Sequence, residues 1–204
     1  MKRSSYRIQQ LAQAFAHTIP IVDETATHRR WRPGIGPFEE ERQLEQLREE
    51  VENRGLIEVT INYEEPYPDS SRRVDLLLDD GGNQLPIEAK LIRFRRDNGN
   101  IDPNMYKSVF SPFPERSSSS MLTDCQKLAE SGFDFPCGVL GLYYESNEEA
   151  YEELRADRIA EKFTLDVGYW YDIPIEPICV ESFSGLRHPH HQQGAVIAWE
   201  LTEP

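Results

Sequence analysis

Hydrophobic residues recur along this chain with two different spacings, and the change of spacing separates predicted helices from predicted strands. At a helical spacing of three to four residues they predict a first helix that begins at Ser4 or Ser5 and ends before Pro20. The same spacing predicts a second helix over residues 38–54, with Gly55 as its stop signal. The apolar positions of these two helices are Ile8, Leu11, Ala12, Phe15, Leu44, Leu47 and Val51.

Three strands are predicted directly after the second helix, because apolar and polar residues then alternate with a period of two. The first covers 56–63, the second 73–79 and the third 85–94. Proline and aspartate make 64–71 a turn, and Asp80-Gly81-Gly82-Asn83 is typical of a hairpin connection. The three strands therefore form an antiparallel meander.

The second half of the chain is predicted to alternate helices and strands. A long loop to about residue 117 leads to a third helix over 118–131, and the apolar run 137–144 is typical of a strand covered on both faces. Ser146 and Glu149 have the spacing of a capping box, which predicts a helix to about residue 163. Three further strands are predicted at 166–173, 178–183 and 195–201.

This order predicts an α/β (α+β) fold with a mixed central sheet, flanking helices and extra C-terminal strands. At 204 residues the chain suits one domain, 1–204. Within it we distinguish an N-terminal helix and basic connector (1–37), a core (38–144) and a C-terminal helix with strands (145–204).

Composition narrows the functional classes. The chain has 22 basic and 36 acidic residues and a net charge of −14, which argues against general coating of nucleic acid. No apolar run reaches the roughly 20 residues that span a bilayer, so a cytoplasmic protein without a membrane partner is expected. Three cysteines without a C-x-x-C spacing indicate neither a disulfide framework nor a zinc ribbon.

Candidate chemistry is concentrated in the second and third predicted strands. Asp75 lies in one, and Glu88-Ala89-Lys90 lies in the next, among apolar neighbours where unpaired charges are costly. Adjacent strands are about 4.8 Å apart, so Asp75 and Glu88 could share a divalent cation, for which Mg²⁺ is suited. Lys90, on the same face as Glu88, could hold or help deprotonate an attacking water.

Val74-Asp75 and the stretch 87–92, with a helix on either side, resemble the PD-(D/E)xK nuclease superfamily over roughly 38–144, although Val74 stands where the motif has proline. The resemblance implies a restriction-endonuclease-like core and a metal-dependent nuclease, a hydrolase that cleaves phosphodiester bonds, here as a DNA endonuclease. It implies Mg²⁺, with Mn²⁺ as a substitute, held by Asp75, Glu88 and Ala89, and Lys90 as a catalytic residue.

The resemblance also implies functional residues on the two helices. Many members add an acid from the first core helix, for which Glu40 and Glu41 are candidates; Glu41 is the fourth predicted catalytic residue. Lys127, with Gln126, occupies the helix after the third strand. The alternative interpretation of Glu40 and Glu41 is structural, because acidic side chains in the first turn of a helix stabilise it.

The predicted partner is nucleic acid, specifically DNA, with a homodimer if both strands are cut. Predicted substrate-binding residues are Arg93, Arg95 and Lys127, and a second basic patch comprises His28, Arg29, Arg30 and Arg32. Pairing of these arginines with surface acids is the alternative. For Lys90 the alternative is a structural ion pair with one of the two carboxylates. For the whole chain the alternative is a catalytically inert nuclease-fold module that binds protein or nucleic acid in a defence or mobile-element system.

Two other groups of residues have structural interpretations. His188-Pro189-His190-His191 lacks a recognised metal-ligand spacing, so a metal site is not predicted there. The tryptophans, Trp31, Trp170 and Trp199, are interpreted as core or interface aromatics rather than base-stacking platforms.

Overall fold

The computed structural model describes residues 2–28, 30, 32–113 and 119–203. Its strands are β1 Thr60–Pro66, β2 Arg73–Asp79, β3 Gln84–Arg93, β4 Cys137–Tyr144, β5 Ile175–Ser184 and β6 Gln193–Leu201. Its helices are α1 Arg3–Thr25, α2 Glu40–Arg54, α3 Met105–Phe110, α4 Met121–Ala129 and α5 Ala156–Tyr171, with a 3₁₀ helix at Glu149–Leu154.

The strands form a six-stranded sheet in the order β1-β2-β3-β4-β6-β5. β3 and β4 are parallel, and the other neighbouring pairs are antiparallel. One hydrophobic cluster joins α1 and α2 to the sheet, and a second joins α3, α4 and α5 to it. The predicted α+β class, a mixed sheet flanked by helices, is confirmed. No described helix is long and apolar enough to cross a membrane.

The best-predicted elements are the strands whose burial follows directly from composition. β4 has the predicted bounds, and all eight of its residues are buried. β2 also has the predicted bounds, while β1 begins four residues later than predicted and extends through part of the predicted turn. β4 is covered on both faces, so its continuous apolar run marks both of its ends. β1 is an edge strand with one well-buried residue, Ile61, so its apolar pattern marks its ends less clearly.

The predicted end of the first helix before Pro20 is wrong, because α1 continues to Thr25. Proline removes one helical hydrogen bond at a cost of about 3 kcal/mol. Burial of Val22 on the next turn offsets this cost, since Val22 and Ile19 complete the stripe that packs on the sheet. Asp23 then anchors the helix end by accepting hydrogen bonds from the backbone N–H groups of Ile35 and Arg187.

Two predictions after β4 are also wrong. The predicted strand at 166–173 is the second half of α5, whose buried residues Ile159, Phe163 and Val167 recur at helical spacing. The helix predicted from Ser146 to about residue 163 is divided into the short 3₁₀ helix and the first half of α5. α5 begins at Ala156, where the Glu145 carboxylate accepts the Ala156 N–H at 2.9 Å and so satisfies one donor of the first turn.

The loop before α4 contains a helix that the pattern did not predict. α3 is only six residues long and buries Val109 and Phe110. α4 begins at Met121, after the N-cap Ser120, rather than at Ser118, a position outside the described residues. A six-residue helix is too short for its apolar period to be distinguished from chance.

Candidate active site

A cavity of about 270 Å³ lies between β2, β3, α2 and α4. Four carboxylates and four cations line it, together with one tyrosine and one serine. These residues are Glu40, Tyr67, Arg72, Arg73, Asp75, Glu88, Lys90, Ser119, Asp124 and Lys127. A larger groove of about 940 Å³ lies near the β2–β3 turn, but it contains none of the predicted catalytic residues. The smaller cavity is therefore the candidate site.

The pairing of β2 with β3 brings Asp75 and Glu88 together. Leu76 is paired with Ile87 in this antiparallel ladder, so the next position along places Asp75 opposite Glu88. The Asp75 Oδ2 atom accepts the Ala89 backbone N–H at 2.7 Å, and the two carboxyl groups share a hydrogen bond. Asp75 and Glu88 therefore point to the same sheet face, as strand alternation predicts.

Glu88 is strongly perturbed by its surroundings. Only 7% of it is exposed, and its Oε1 accepts a hydrogen bond from the Tyr67 hydroxyl. Burial and the neighbouring Asp75 raise the pKa of Glu88 to about 9, although the Tyr67 hydrogen bond opposes the shift. Burial also raises the pKa of Asp75, although the Ala89 N–H lowers it. The pair therefore needs a proton, or a cation in its place, at neutral pH.

Lys90 lies beside two further carboxylates. Its Nζ is 3.4 Å from Glu40 Oε1 and 3.9 Å from Asp124 Oδ2. Burial alone would lower the pKa of Lys90, but the charges of Glu40, Asp124 and Asp75 outweigh it and raise the pKa. The acidic surroundings of Lys90 therefore favour its protonated form, which is a hydrogen-bond donor.

The acid that α2 contributes to the cavity is Glu40, and the choice of Glu41 is wrong on this point. Glu40 Oε2 accepts the Leu91 backbone N–H while Oε1 faces Lys90. Glu41 is exposed and lies outside the cavity. The helical period explains the difference, because Glu40 precedes the buried Gln43, Leu44 and Leu47 by three, four and seven residues.

Asp124 and Tyr67 are site residues that sequence reasoning missed. Asp124 is 4% exposed, and α4 places it between Lys90 and Lys127. Its spacing of three and four residues from the buried Met121 and Leu128 was an available signal, because it puts an acid on the apolar stripe. Tyr67, between two prolines in the β1–β2 turn, gave no such signal.

Of the predicted substrate-binding residues, Lys127 lies at the cavity, and Arg93 and Arg95 lie outside it. Arg93 donates to the Gly36 carbonyl and lies 3.5 Å from Asp97. Arg95 pairs with Glu148 at 2.6 Å and donates to the Gly99 carbonyl. Both guanidinium groups therefore contact other groups of the chain, which corresponds to the alternative in which these arginines pair with the protein's own acids.

Besides Lys90 on β3, Arg72 and Arg73 line the cavity at the start of β2. Of the other basic patch, Arg30 and Arg32 are exposed, whereas Arg29 falls outside the described residues, as does Trp31. The described members of the patch, His28, Arg30 and Arg32, do not line the cavity. Trp199 is fully buried, as the core interpretation expects, while Trp170 is 43% exposed.

The histidine tract forms a second buried cluster. His188 and His191 are buried and their rings stack with centroids 4.7 Å apart, while His191 Nε2 lies 3.0 Å from Asp97 Oδ1. Throughout the described ranges, no three His, Cys, Asp or Glu side chains form a metal-ligating group. All three cysteines are free thiols.

The donor set at Asp75 and Glu88 suits a hard divalent cation. The hydrogen bond between the two carboxyls requires a shared proton, and a cation between them would replace that proton. Mg²⁺ binds through one or two carboxylates and keeps several waters, so a two-carboxylate site suffices. The contact described for Ala89 is its N–H to Asp75, which orients that carboxylate; ligation by Ala89 stays a prediction.

Comparison of the chain with models of protein families, with curated proteins and with solved structures gives no match. Functional inference therefore depends on the geometry of the cavity.

Proposed function

We propose that this chain is a metal-dependent nuclease of the PD-(D/E)xK type that hydrolyses phosphodiester bonds in DNA. The observation that carries the proposal is the convergence of Asp75, Glu88 and Lys90 on one small cavity. The order α2, β1, β2, β3, α3, α4, β4 supports a restriction-endonuclease-like core over 38–144, because apart from the short α3 it is the helix, three-stranded meander, helix, strand order that the resemblance implies.

Asp75 and Glu88 would hold Mg²⁺, or Mn²⁺ in its place. The bound cation would supply Lewis acidity toward the phosphate and lower the pKa of a bound water. The chain contributes the geometry: the Ala89 N–H orients Asp75, and the Tyr67 hydroxyl orients Glu88. Both carboxylates are thus held before substrate arrives, which lowers the cost of organising the site.

Lys90 would act as a cationic donor to a nonbridging phosphate oxygen. The charges of Glu40, Asp124 and Asp75 raise the pKa of Lys90, which favours the protonated ammonium that this role requires. Glu40 and Asp124 position the ammonium group from two helices. Arg72, Arg73 and Lys127 would offset the charge of flanking phosphates at the cavity. Cleavage of both strands of a duplex would require two copies, so we propose a homodimer for that substrate.

The deciding experiment measures cleavage of plasmid and of labelled oligonucleotides with Mg²⁺, Mn²⁺ or EDTA. The wild type is compared with Asp75→Asn, Glu88→Gln and Lys90→Met, and Glu41→Gln is the matched control on the exposed side of α2. Metal-dependent cleavage that the three cavity variants lose and the control keeps is the expected result. Absence of cleavage, or cleavage that survives in all three folded variants, would reject the proposal.

A second candidate is an inert nuclease-fold module that binds protein or nucleic acid. The observation that favours it is neutralisation of cations by internal contacts at Lys90, Arg93 and Arg95, in a chain with a net charge of −14. Binding of an oligonucleotide in EDTA, without cleavage in either metal, would select this candidate over the enzyme.

A further inference from the structure

Beside the cavity, the surface carries a row of exposed aromatic side chains. Phe113 is 79% exposed, Tyr169 80% and Trp170 43%. Trp170 joins the other two, because its ring centroid is 5.5 Å from that of Phe113 and 5.0 Å from that of Tyr169, both in edge-to-face geometry. We call Phe113, Trp170 and Tyr169 the aromatic strip. Its exposure excludes a core position for Trp170.

The aromatic strip is held in place from two sides. The Tyr171 hydroxyl donates to the Pro112 carbonyl at 3.2 Å, which ties the segment before Phe113 to the end of α5. The Ser120 hydroxyl donates to the Ser111 carbonyl, which ties the same segment to the start of α4. The rings are therefore presented on anchored backbone, so little ordering is needed when a ligand binds.

The same contacts place the aromatic strip next to the cavity. Ser119 lines the cavity, and its neighbour Ser120 contacts Ser111. Phe113 is two residues farther along, a span of at most roughly 7 Å. Tyr171 is the residue after Trp170. Burial raises the pKa of Tyr171, and the neighbouring Cys125 and Asp124 raise it further, so Tyr171 and Asp124 lie close together. A strand that leaves the cavity over the start of α4 would reach the strip within a few nucleotides.

The acid of α5 that lies one turn before Trp170, Asp166, is paired with Lys162 at 2.6 Å. Asp172, two residues after Trp170, is exposed. Stacking on the rings, rather than local charge, would therefore supply the attraction for a nucleic acid. Exposed rings can stack on any base, a contact that does not depend on sequence.

The exposed area is better suited to a few bases than to a protein partner. A buried aromatic side chain covers 150–250 Å², so the exposed parts of the three rings amount to roughly 400 Å². A stable protein interface needs about 800 Å² from each partner. The strip alone falls short of that area, while two or three stacked bases match its dimensions.

We infer that the aromatic strip binds unpaired bases of the substrate next to the cleaved bond. This inference rests on the proposed function and specifies it: the substrate class would be single strands, overhangs or flaps, each cut by one copy of the chain. A blunt duplex lacks free base faces, so it would gain nothing from the strip.

The first test measures binding of fluorescein-labelled oligo(dT) by anisotropy in EDTA, where cleavage cannot occur. Phe113→Ala and Tyr169→Ala should each weaken the Kd about tenfold, because one stacking platform is lost. Tyr6→Ala is the matched control, since Tyr6 is a 50% exposed tyrosine on α1, across the sheet. It should bind as the wild type does. Circular dichroism melts verify that all variants fold.

Several outcomes would overturn the inference: no binding by the wild type, equal binding by the strip variants, or a wild-type dimer that Phe113→Ala dissociates in sedimentation. The last would assign the strip to self-association. Cleavage of overhang against blunt substrates with Mg²⁺ is the second test, in which only the wild type should prefer the overhang. Binding that depends on the strip, without cleavage, would reject the proposed nuclease activity and support base binding by the strip. Cleavage that does not depend on the strip would support the nuclease activity and reject base binding by the strip.

Discussion

The chain contains two buried clusters of titratable residues, and they differ in what satisfies their charges. In the carboxylate cluster, Asp75 and Glu88 are neighbours on one sheet face and open to a cavity. In the histidine cluster, His188 and His191 stack on each other and Asp97 closes the network through His191 and Arg93.

The difference indicates why one cluster is a functional candidate and the other is structural. Like charges held together beside a cavity destabilise the fold unless a ligand or proton compensates them, so their retention calls for a functional reason. In the histidine cluster the carboxylate of Asp97 is compensated within the chain, by Arg93 and by the His191 ring, which lies against Gly36. Four predictions test this division, in order of expected effect.

The largest effect is on cleavage. Asp75→Asn and Lys90→Met should each reduce kcat/KM by roughly 10²–10³-fold, because each removes a group that faces the reacting phosphate. His191→Phe should change it less than threefold once the folded fraction is taken into account. Single-turnover cleavage measures both. Equal losses from the two clusters would remove the distinction between them.

The next effect is on stability, with opposite signs in the two clusters. Asp97→Ala should lower the free energy of unfolding by about 2–4 kcal/mol, since it leaves Arg93 and His191 without their shared carboxylate. Glu88→Gln should raise it by about 1–2 kcal/mol at pH 8 in EDTA, because the wild-type carboxylate must take up a proton on folding and the neutral amide need not. Urea denaturation measures both changes. A loss of stability in Glu88→Gln would mean that the carboxylate is fully compensated.

Metal should stabilise one cluster only. At ten times its Kd, Mg²⁺ would raise the free energy of unfolding by about 1.4 kcal/mol. Thermal melts should show this gain in the wild type and in His188→Asn, and not in Asp75→Asn or Glu88→Gln. A gain that persists in the last two variants would locate the metal elsewhere.

The smallest effect is on the pH dependence of stability in EDTA, where the two clusters should act in opposite directions. The pKa of Glu88 is raised to about 9, so its contribution is complete below its ordinary pKa of 4.5 and is lost as pH rises toward 9. Burial lowers the pKa of His188 from 6.5 to about 4, so its contribution is present above pH 6.5 and is lost as pH falls toward 4.

Urea midpoints from pH 4 to 9 should therefore pass through a maximum. Between pH 4.5 and 6.5 the two contributions oppose each other. Glu88→Gln should remove the fall in stability above pH 6.5, and His188→Asn should remove the fall below pH 4.5. If both variants flatten the same side, the assignment of at least one pKa direction is wrong.

Sequence reasoning was successful where one residue pattern had one physical outcome. Period-two alternation placed Asp75 and Glu88 on one sheet face, and the continuous apolar run located β4 with its correct bounds. It was unsuccessful where local signals competed with packing. Pro20 signals a helix end, yet α1 continues because the next turn is buried, and 166–173 has strand-like residues within the amphipathic α5.

The sequence alone thus determined the α+β class and the pair of strands that carry the candidate chemistry, because alternation along a strand needs no knowledge of distant residues. Only the tertiary structure decided which other residues join them. Glu40 rather than Glu41, Asp124 from α4 and Tyr67 from the β1–β2 turn meet at the cavity through packing between elements far apart in the chain. The aromatic strip likewise exists only because α5 and the segment after α3 are packed side by side.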